Sequence, residues 1–195
     1  MDVLLAGAAL LLLLPLFALL WVAVRRDGGK AFFGHTRIGR HGQRFQCLKF
    51  RSMVPDADAA LARLLAEDPE AARQWAETRK LPRDPRVTRL GAFLRATSLD
   101  ELPQLINVLR GEMSLVGPRP VVQDELDRHY GSHRASYLAV RPGVTGLWQT
   151  SGRSSTSYAT RVALDCQYVE DFSFASDLRI LFRTIPAVLK RTGAF

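Results

Sequence analysis

An apolar segment from Val3 to Val24 constrains the fold of this chain more than any other feature of its sequence. It contains no charged residue, and as a straight helix it is about long enough to cross a hydrocarbon layer roughly 30 Å thick. No basic residue precedes it, and Arg25 and Arg26 follow where a signal peptide would have its cleavage site. The sequence therefore predicts a retained membrane anchor over residues 1–26 and a second unit over residues 27–195.

Pro15 divides the apolar segment, because proline lacks a backbone N–H and its ring clashes with the carbonyl of Leu11. A kinked helix that spans the bilayer and a helical hairpin that enters and leaves on one face both remain open. The hairpin requires partners for the backbone groups freed at the break, since lipid supplies none. Under either topology Arg25, Arg26 and Lys30 place the residues that follow in the cytoplasm.

The charge balance of the chain favours an anionic partner. The 195 residues include 27 Lys and Arg against 19 Asp and Glu, which gives a formal net charge of +8. Such an excess suits nucleic acid, an anionic membrane surface or a phosphorylated substrate. Because the sequence has no Lys/Arg block and no zinc-finger spacing, we do not expect nucleic acid as a partner. Cys47 and Cys166 are expected to be small core residues in a reducing compartment.

Periodicity and turn residues predict an α+β fold that is mostly helical and contains one small β-hairpin. Residues 31–33 and 45–50 are strand-like, with a glycine-containing turn at 39–42. Helices are predicted over 56–80, with a break at Asp68-Pro69, and over 158–172. The basic amphipathic stretch 177–191 suits the membrane interface and packing on the core equally.

Two adjacent carboxylates, Asp100 and Glu101, lie at a predicted helix start in this otherwise basic protein. Ser98, with Glu101 three residues later, forms a capping-box pattern, and the helix dipole stabilises acidic residues in a first turn. Pro103 argues against plain capping, because it would remove an interior hydrogen bond from a helix that began at Ser98. Ordinary capping and a catalytic site in an irregular turn therefore both remain open.

Two further segments combine a proline-stiffened backbone with an arginine: Gly117–Pro120, which contains Arg119, and Arg141–Gly146. Their glycines permit close backbone approach, which suits a grip on a pyrophosphate, and rigid surface turns are the alternative. Lys49 and Arg51 would share one face of a continuing strand, either facing phosphate or facing solvent.

Three strings together resemble the bacterial sugar transferase family, the monotopic phosphoglycosyl transferases that begin polysaccharide assembly on undecaprenyl phosphate. They are KFRSM at 49–53, FLRATSLDELPQLINVLRGEMSLVGPRP at 93–120 and RPGVTGLWQTSGR at 141–153. Residues 28–30, 37–40 and 189–195 look most like the undecaprenyl-phosphate galactose phosphotransferases of exopolysaccharide and O-antigen initiation. The resemblance implies a re-entrant membrane helix over 1–26, amphipathic interfacial helices, and a cytoplasmic sugar-phosphate transferase domain over 27–195.

The resemblance implies that a sugar 1-phosphate passes from a UDP-sugar to undecaprenyl phosphate with release of UMP. Galactose is the expected sugar and glucose the next, with Mg²⁺ as cofactor, at the cytoplasmic face of the bacterial inner membrane. By resemblance, Asp100 is the nucleophile that forms a covalent phosphosugar intermediate, and Glu101 binds the metal. The resemblance also implies four cations that offset the repulsion between carboxylate and diphosphate, namely Lys49, Arg95, Arg119 and Arg141. It implies one further acid, Asp165, which serves the metal or holds those cations.

A non-catalytic, membrane-bound scaffold is the alternative, in which the same fold uses its basic face on anionic lipid. Asp100, Glu101 and Arg119 favour the enzyme, because a scaffold has no need of them. Membrane lipid is a partner in both cases, and a homo-oligomer is compatible with the sequence. The chain departs from the family at the break in its membrane segment, where Leu14 replaces a serine before Pro15.

Overall fold

A computed structural model of the protein describes residues 1–78, 81, 84–151 and 157–189. Arg153 and residues 190–195, which contribute to the family resemblance, lie outside the described residues. The described helices are α1 Asp2–Leu12, α2 Leu14–Arg25, α3 Ala57–Glu67, α4 Pro69–Thr78, α5 Arg89–Ala96, α6 Gln104–Leu109, α7 Gln123–His129, α8 Arg134–Ala139, α9 Leu147–Thr150, α10 Tyr158–Glu170 and α11 Phe174–Leu189. Short 3₁₀ turns cover Arg40–Gly42, Leu99–Glu101 and Gly131–His133. The strands are β1 Phe32–Ile38, β2 Arg44–Phe50, β3 Ser114–Val116 and β4 Gly143–Thr145.

The N-terminal apolar segment forms a pair of helices, α1 and α2, bent by 67° at their junction. Pro15 lies in the first turn of α2, where its missing N–H breaks no helical hydrogen bond. The backbone stays bonded around the break, because Leu13 N–H donates to the Ala9 carbonyl at 2.9 Å and Phe17 N–H donates to the Leu13 carbonyl at 2.8 Å. Within the described residues no single helix is long and apolar enough to cross a membrane, whereas the bent pair is so in length and composition.

Both helices of the bent pair contribute to the protein core. Ala6 of α1 is fully buried in a cluster with Phe45, Cys47, Leu105, Val108 and Met113. Leu20 and Val24 of α2 are buried against Phe50 and Leu94. Full burial of an aliphatic or aromatic side chain stabilises a fold by roughly 1.5–3 kcal/mol. The opposite faces of the two helices expose large apolar side chains, including Leu4, Leu11, Leu12 and Leu19.

The two ends of the bent pair are both bonded to the rest of the chain. At its start, the Asp2 carboxylate accepts a hydrogen bond from Ser114 Oγ at 2.8 Å. At its end, the Arg51 guanidinium donates to the Val24 carbonyl at 2.9 Å and forms an ion pair with Asp27. Arg51 thus ties the end of β2 to α2, and its largely buried, bonded side chain fits neither of the alternatives left open above, facing phosphate or facing solvent.

The predicted hairpin is confirmed as the antiparallel pair β1 and β2. Its register places Phe33 opposite Lys49, His35 opposite Cys47 and Arg37 opposite Phe45, so these three pairs share one face. Lys49 lies at the end of the hairpin that packs against α2, whereas Arg37 lies at the end beside the turn.

A second strand pair, β3 with β4, is parallel and was not predicted. The segments expected to be surface turns or phosphate grips flank it, and their glycines allow two backbones to meet. A Cβ built on Gly143 would lie 2.1 Å from Gly117 N, and Gly117 N–H donates to the Thr145 carbonyl at 2.9 Å. Strands of three residues are too short for hydrophobic periodicity to indicate them.

The C-terminal helices cover the remaining core. On α10, Val162 and Cys166 pack with Ile38, Val121 and other buried residues, and both cysteines are free and buried as predicted. On α11, Ile180 is buried while Phe182 and Ile185 are exposed. One face of α11 therefore packs on the core, and its other face leaves apolar side chains uncovered.

Candidate active site

The carboxylate pair lies in an irregular turn between α5 and α6. Ser98 has a positive φ of 57°, and its side chain caps no helix. Asp100 and Glu101 follow in a single 3₁₀ turn, and α6 begins only at Gln104, after Pro103. The structure therefore excludes ordinary capping by Ser98, one of the two alternatives left open above, and confirms the irregular turn indicated by Pro103.

Lys49 of β2 reaches across to both carboxylates. Its Nζ donates to Glu101 Oε1 at 2.6 Å and to Asp100 Oδ2 at 3.5 Å. The Asp100 side chain is only 10% exposed, whereas that of Glu101 is 38% exposed. The two acids thus have different surroundings, one buried and one partly open to solvent, which suits them to different chemical roles.

The surroundings of the turn raise the pKa of Asp100. Burial raises the pKa of Asp100 above its usual value, although the positive charges of Lys49 and Arg95 oppose the rise. Burial disfavours the Lys49 ammonium, but the charges of Glu101 and Asp100 outweigh that effect and raise the pKa of Lys49. At neutral pH this arrangement holds a protonated lysine against a carboxylate that is more basic than an ordinary aspartate.

Arg95 joins this site from the end of α5. Its Nε donates to Ser52 Oγ at 2.8 Å, and its charge acts on Asp100. The helix approaches the chain after β2 very closely at Gly91, where an added Cβ would lie 1.9 Å from the Ser52 carbonyl oxygen. Gly91 therefore allows the contact that holds Arg95 beside the carboxylates.

Gly91→Ala is expected to destabilise the fold by about 3 kcal/mol, because the new methyl group meets backbone rather than a movable side chain. The displaced α5 would carry Arg95 away from Asp100, so catalytic activity should fall even at temperatures where the variant stays folded. Urea unfolding and an activity assay measure the two effects. Gly7→Ala provides the control for crowding, because an added Cβ there meets only Leu109 Cδ2, at an ordinary van der Waals distance of 3.9 Å.

The carboxylate pair fits one mode of Mg²⁺ binding. Mg²⁺ is held in many phosphate-handling sites by one or two carboxylates, with substrate phosphate oxygens and water completing its shell. Asp100 and Glu101 supply such a pair, and the exposed Glu101 is the more accessible oxygen donor. Across all of the described residues, this turn included, no group of three or more His, Cys, Asp and Glu side chains could hold a metal.

Asp165 and Arg119 form a second group, and Cys47 lies between the two groups, because the charges of Lys49 and Glu101 and those of Arg37 and Arg119 all act on its thiol. The buried Asp165 accepts a hydrogen bond from Tyr130 O–H at 2.8 Å and interacts with the backbone N–H of Arg119. Among the described residues Asp165 forms no ion pair, so its expected role, serving the metal or holding the cations, stays a prediction. Arg141 is exposed and lies beside Gly111, after α6.

Asp165 should make the stability of the protein depend on pH. Burial raises the pKa of its carboxyl to about 7, so the folded state holds a proton that the unfolded chain releases above about pH 4. The resulting stabilisation is complete at low pH and is lost as the pH rises through about 7. Asp165→Asn should remove this slope, which can reach about 1.4 kcal/mol per pH unit. Urea unfolding at about pH 5 and about pH 8 measures it, and the exposed Asp124→Asn should leave the slope unchanged.

Three residues near Arg119 were not predicted to belong to a site. Arg37 interacts with Arg119 and, at 3.4 Å, with Glu125. The Trp148 ring lies 4.2 Å from the Arg161 guanidinium and 5.7 Å from that of Arg119. The only available signal in the sequence was that Arg37 and Trp148 fall in strings shared with the family.

A buried aspartate with a neighbouring glutamate, a lysine bonded to both and an arginine beside them would suit an anionic substrate. The chain matches the bacterial sugar transferase family over residues 1–191. It belongs to the bacterial sugar transferase family, and it is a transferase.

Three relatives illustrate the range of similarity. The chain is 56% identical to the exopolysaccharide production protein ExoY of Rhizobium meliloti strain 1021, over 100% of this chain and 86% of that protein. It is 52% identical to an undecaprenyl-phosphate galactose phosphotransferase of Salmonella typhimurium, over 100% of this chain but only 40% of that protein. It is 39% identical to the UDP-glucose:undecaprenyl-phosphate glucose-1-phosphate transferase of Caulobacter vibrioides, over 100% of this chain and 70% of that protein.

Proposed function

We propose that this protein transfers a sugar 1-phosphate from a UDP-sugar to undecaprenyl phosphate, releases UMP, and so begins the assembly of an exopolysaccharide or O-antigen. The observation that carries the proposal is the buried Asp100 beside Glu101 and Lys49, in a chain similar to transferases with these substrates. Galactose is the preferred sugar, because a galactose phosphotransferase is 52% identical and the glucose-1-phosphate transferase 39%.

In the first step, an oxygen of Asp100 attacks the sugar-bearing phosphorus of the donor. A bond forms between carboxylate and phosphorus while the phosphoanhydride bond to UMP breaks, leaving a covalent phosphosugar on Asp100. In the second step, a phosphate oxygen of undecaprenyl phosphate attacks the same phosphorus and frees Asp100. One phosphoanhydride replaces another, so the enzyme needs positioning and charge stabilisation rather than an external energy source.

The surrounding residues reduce the repulsion between the carboxylate and the diphosphate. Lys49, already 2.6 Å from Glu101 Oε1, places an ammonium where donor phosphate oxygens approach Asp100. Arg95 adds a second positive charge from α5. When bound, Mg²⁺ held by Glu101, with Asp100 beside it, would supply further neutralisation of the phosphate charge.

The bent apolar pair supports a re-entrant anchor on the cytoplasmic face of the inner membrane. Asp2 and Asp27, at its two ends, both bond to the same body of the protein, through Ser114 and Arg51. A segment that crossed the bilayer would place these ends on opposite sides. The exposed apolar faces of α1, α2 and α11 are then available to lipid.

The test is UMP release by the detergent-solubilised protein with undecaprenyl phosphate, Mg²⁺ and a panel of UDP-sugars. We expect turnover with UDP-galactose, dependence on the lipid acceptor for continued turnover, and loss of turnover with a metal chelator that excess Mg²⁺ reverses. Silence across the whole panel, together with salt-sensitive binding to anionic vesicles, would favour the scaffold instead.

A further inference from the structure

A cluster of arginines and aromatic rings lies outside the Asp100 turn and takes no part in the steps above. It is formed by Arg37 of β1, Arg119 after β3, Trp148 of α9, and Tyr158 and Arg161 of α10. Arg161 lies over both rings, 4.2 Å from the Trp148 centroid and 5.1 Å from that of Tyr158. Four separate chain segments therefore converge on one small region.

The cluster holds more positive charge than its neighbours neutralise. Arg119 acts unfavourably on both Arg37 and Arg161, which lowers their pKa in addition to the effect of burial. Within the described part of the chain, the only ion pair of these arginines is the 3.4 Å contact between Arg37 and Glu125. Like charges held together in this way attract an anion.

The cluster also contains buried polar atoms that have no hydrogen-bond partner within the described residues: Trp148 Nε1, Tyr158 Oη and Arg161 Nε. Trp148 as a whole is only 8% exposed. Buried donors are normally paired, and an exception calls for an explanation such as a missing ligand. Two N–H donors and a hydroxyl match the carbonyl oxygens and the N–H of a uracil base, and arginine and aromatic planes are surfaces on which bases stack.

The position of the cluster relates it to the nucleophile. Lys49 and Arg37 lie on the same face of the hairpin, and Arg37 pairs with Phe45, four residues before Lys49. At about 3.4 Å per residue, the backbone positions that carry the two cations are about 14 Å apart along the strands. His35 lies between them, and the fields of both Lys49 and Arg37 act on its imidazole. The Lys49 end packs against α2, so a lipid acceptor reaches that end, and the Arg37 end faces away from α2.

From this arrangement we infer that Arg37, Arg119 and Arg161, with Trp148 and Tyr158, bind the UMP half of the donor. The inference rests on the proposed function and adds the location of the leaving group. The arginines hold the phosphate that departs when Asp100 attacks, and the aromatic residues hold the base. The donor thus lies along the hairpin face, with its sugar-bearing phosphate at Lys49 and its nucleotide at Arg161.

The test measures UMP binding by calorimetry with the full-length, detergent-solubilised protein in Mg²⁺, together with KM for the donor and for undecaprenyl phosphate. Arg161→Gln and Arg37→Gln should each weaken UMP binding about tenfold and raise the donor KM similarly, without changing the acceptor KM. Arg161→Lys should recover only part of the loss, because an ammonium cannot form the bidentate contact. Arg128→Gln is the matched control, since Arg128 is exposed on α7 and forms an ion pair with Asp124 of the same helix.

A second, more conservative variant tests the inference even if the arginine variants fail to fold. Trp148→Phe keeps a ring under Arg161 and removes the indole N–H, so UMP binding should weaken about fivefold. Trp21→Phe is its control, because Arg25 lies 4.8 Å over Trp21 in the same kind of contact on α2.

The outcomes separate this inference from the proposed function. Normal UMP binding in folded Arg161→Gln and Trp148→Phe proteins that turn over UDP-sugar would overturn the inference alone. A rise in the acceptor KM instead of the donor KM would also overturn it and assign the cluster to the lipid phosphate. Weakened UMP binding in an enzyme that turns over no UDP-sugar would uphold the nucleotide site and contradict the proposed reaction.

Discussion

Asp100→Asn is expected to reduce UMP release by at least about 10³-fold, because the amide cannot form the covalent bond to phosphorus. The change removes one charge while keeping the size of a side chain that is only 10% exposed. Donor KM should change much less than kcat. The measurement is UMP release with UDP-galactose, undecaprenyl phosphate and Mg²⁺, with Asp124→Asn as an exposed control.

The stability of the Asp100→Asn protein shows whether a loss of turnover comes from lost chemistry or from lost folding. Burial raises the pKa of Asp100, so the folded state disfavours the ionised carboxylate. The contribution of Asp100 to the free energy of unfolding therefore falls as the pH rises. Asn is neutral at every pH, so the variant should be at least as stable as the wild type at alkaline pH. Near wild-type turnover in a folded Asp100→Asn protein would show that another residue attacks the donor.

Lys49→Met is the second change with a large expected effect, a loss of kcat/KM of about 10²-fold or more. Without the ammonium, the adjacent carboxylates of Asp100 and Glu101 lose the cation that stabilises their charges. The pKa of Asp100 should therefore rise further, and a larger fraction of the nucleophile is protonated at neutral pH.

The distinctive result is a shift in the pH profile. The acidic limb of kcat/KM should move to higher pH in Lys49→Met, so that activity is recovered in part at alkaline pH. Lys49→Arg should restore the acidic limb, because it keeps the charge. Arg44→Met, at an exposed position on the same strand, is the control. An unshifted acidic limb in Lys49→Met would mean that Lys49 does not set the ionisation of Asp100.

Much of the local structure could be predicted from the sequence. The hairpin and the break at Asp68 depend on short-range signals, namely a glycine turn between β-branched or aromatic runs and an aspartate before proline. The Asp68 side chain does accept a hydrogen bond from Ala71 N–H at 3.0 Å, as a helix cap should. These features are settled within a few residues of the chain and need no distant partner.

The residues of the carboxylate turn could also be identified from the sequence, but the residues that contact them in the fold could not. Pro103 indicated that no regular helix could begin at Ser98, whereas neither the positive φ of Ser98 nor the close contact of α5 with Ser52 has a local signal. The contact between Lys49 and Glu101 joins residues far apart in sequence, on β2 and on the 3₁₀ turn. Nothing in the spacing of either segment could establish it.

The sequence by itself determined the apolar segment with its break, the basic charge, the hairpin and the adjacent carboxylates, because each is local or compositional. Only the tertiary structure decided which cations serve which acid. It assigned Arg51 to Asp27, Lys49 to Asp100 and Glu101, and Arg37 to Glu125. The formal charge of an arginine or lysine is the same wherever it occurs in a sequence. Packing against particular neighbours gives one cation a structural role and another a place beside the nucleophile.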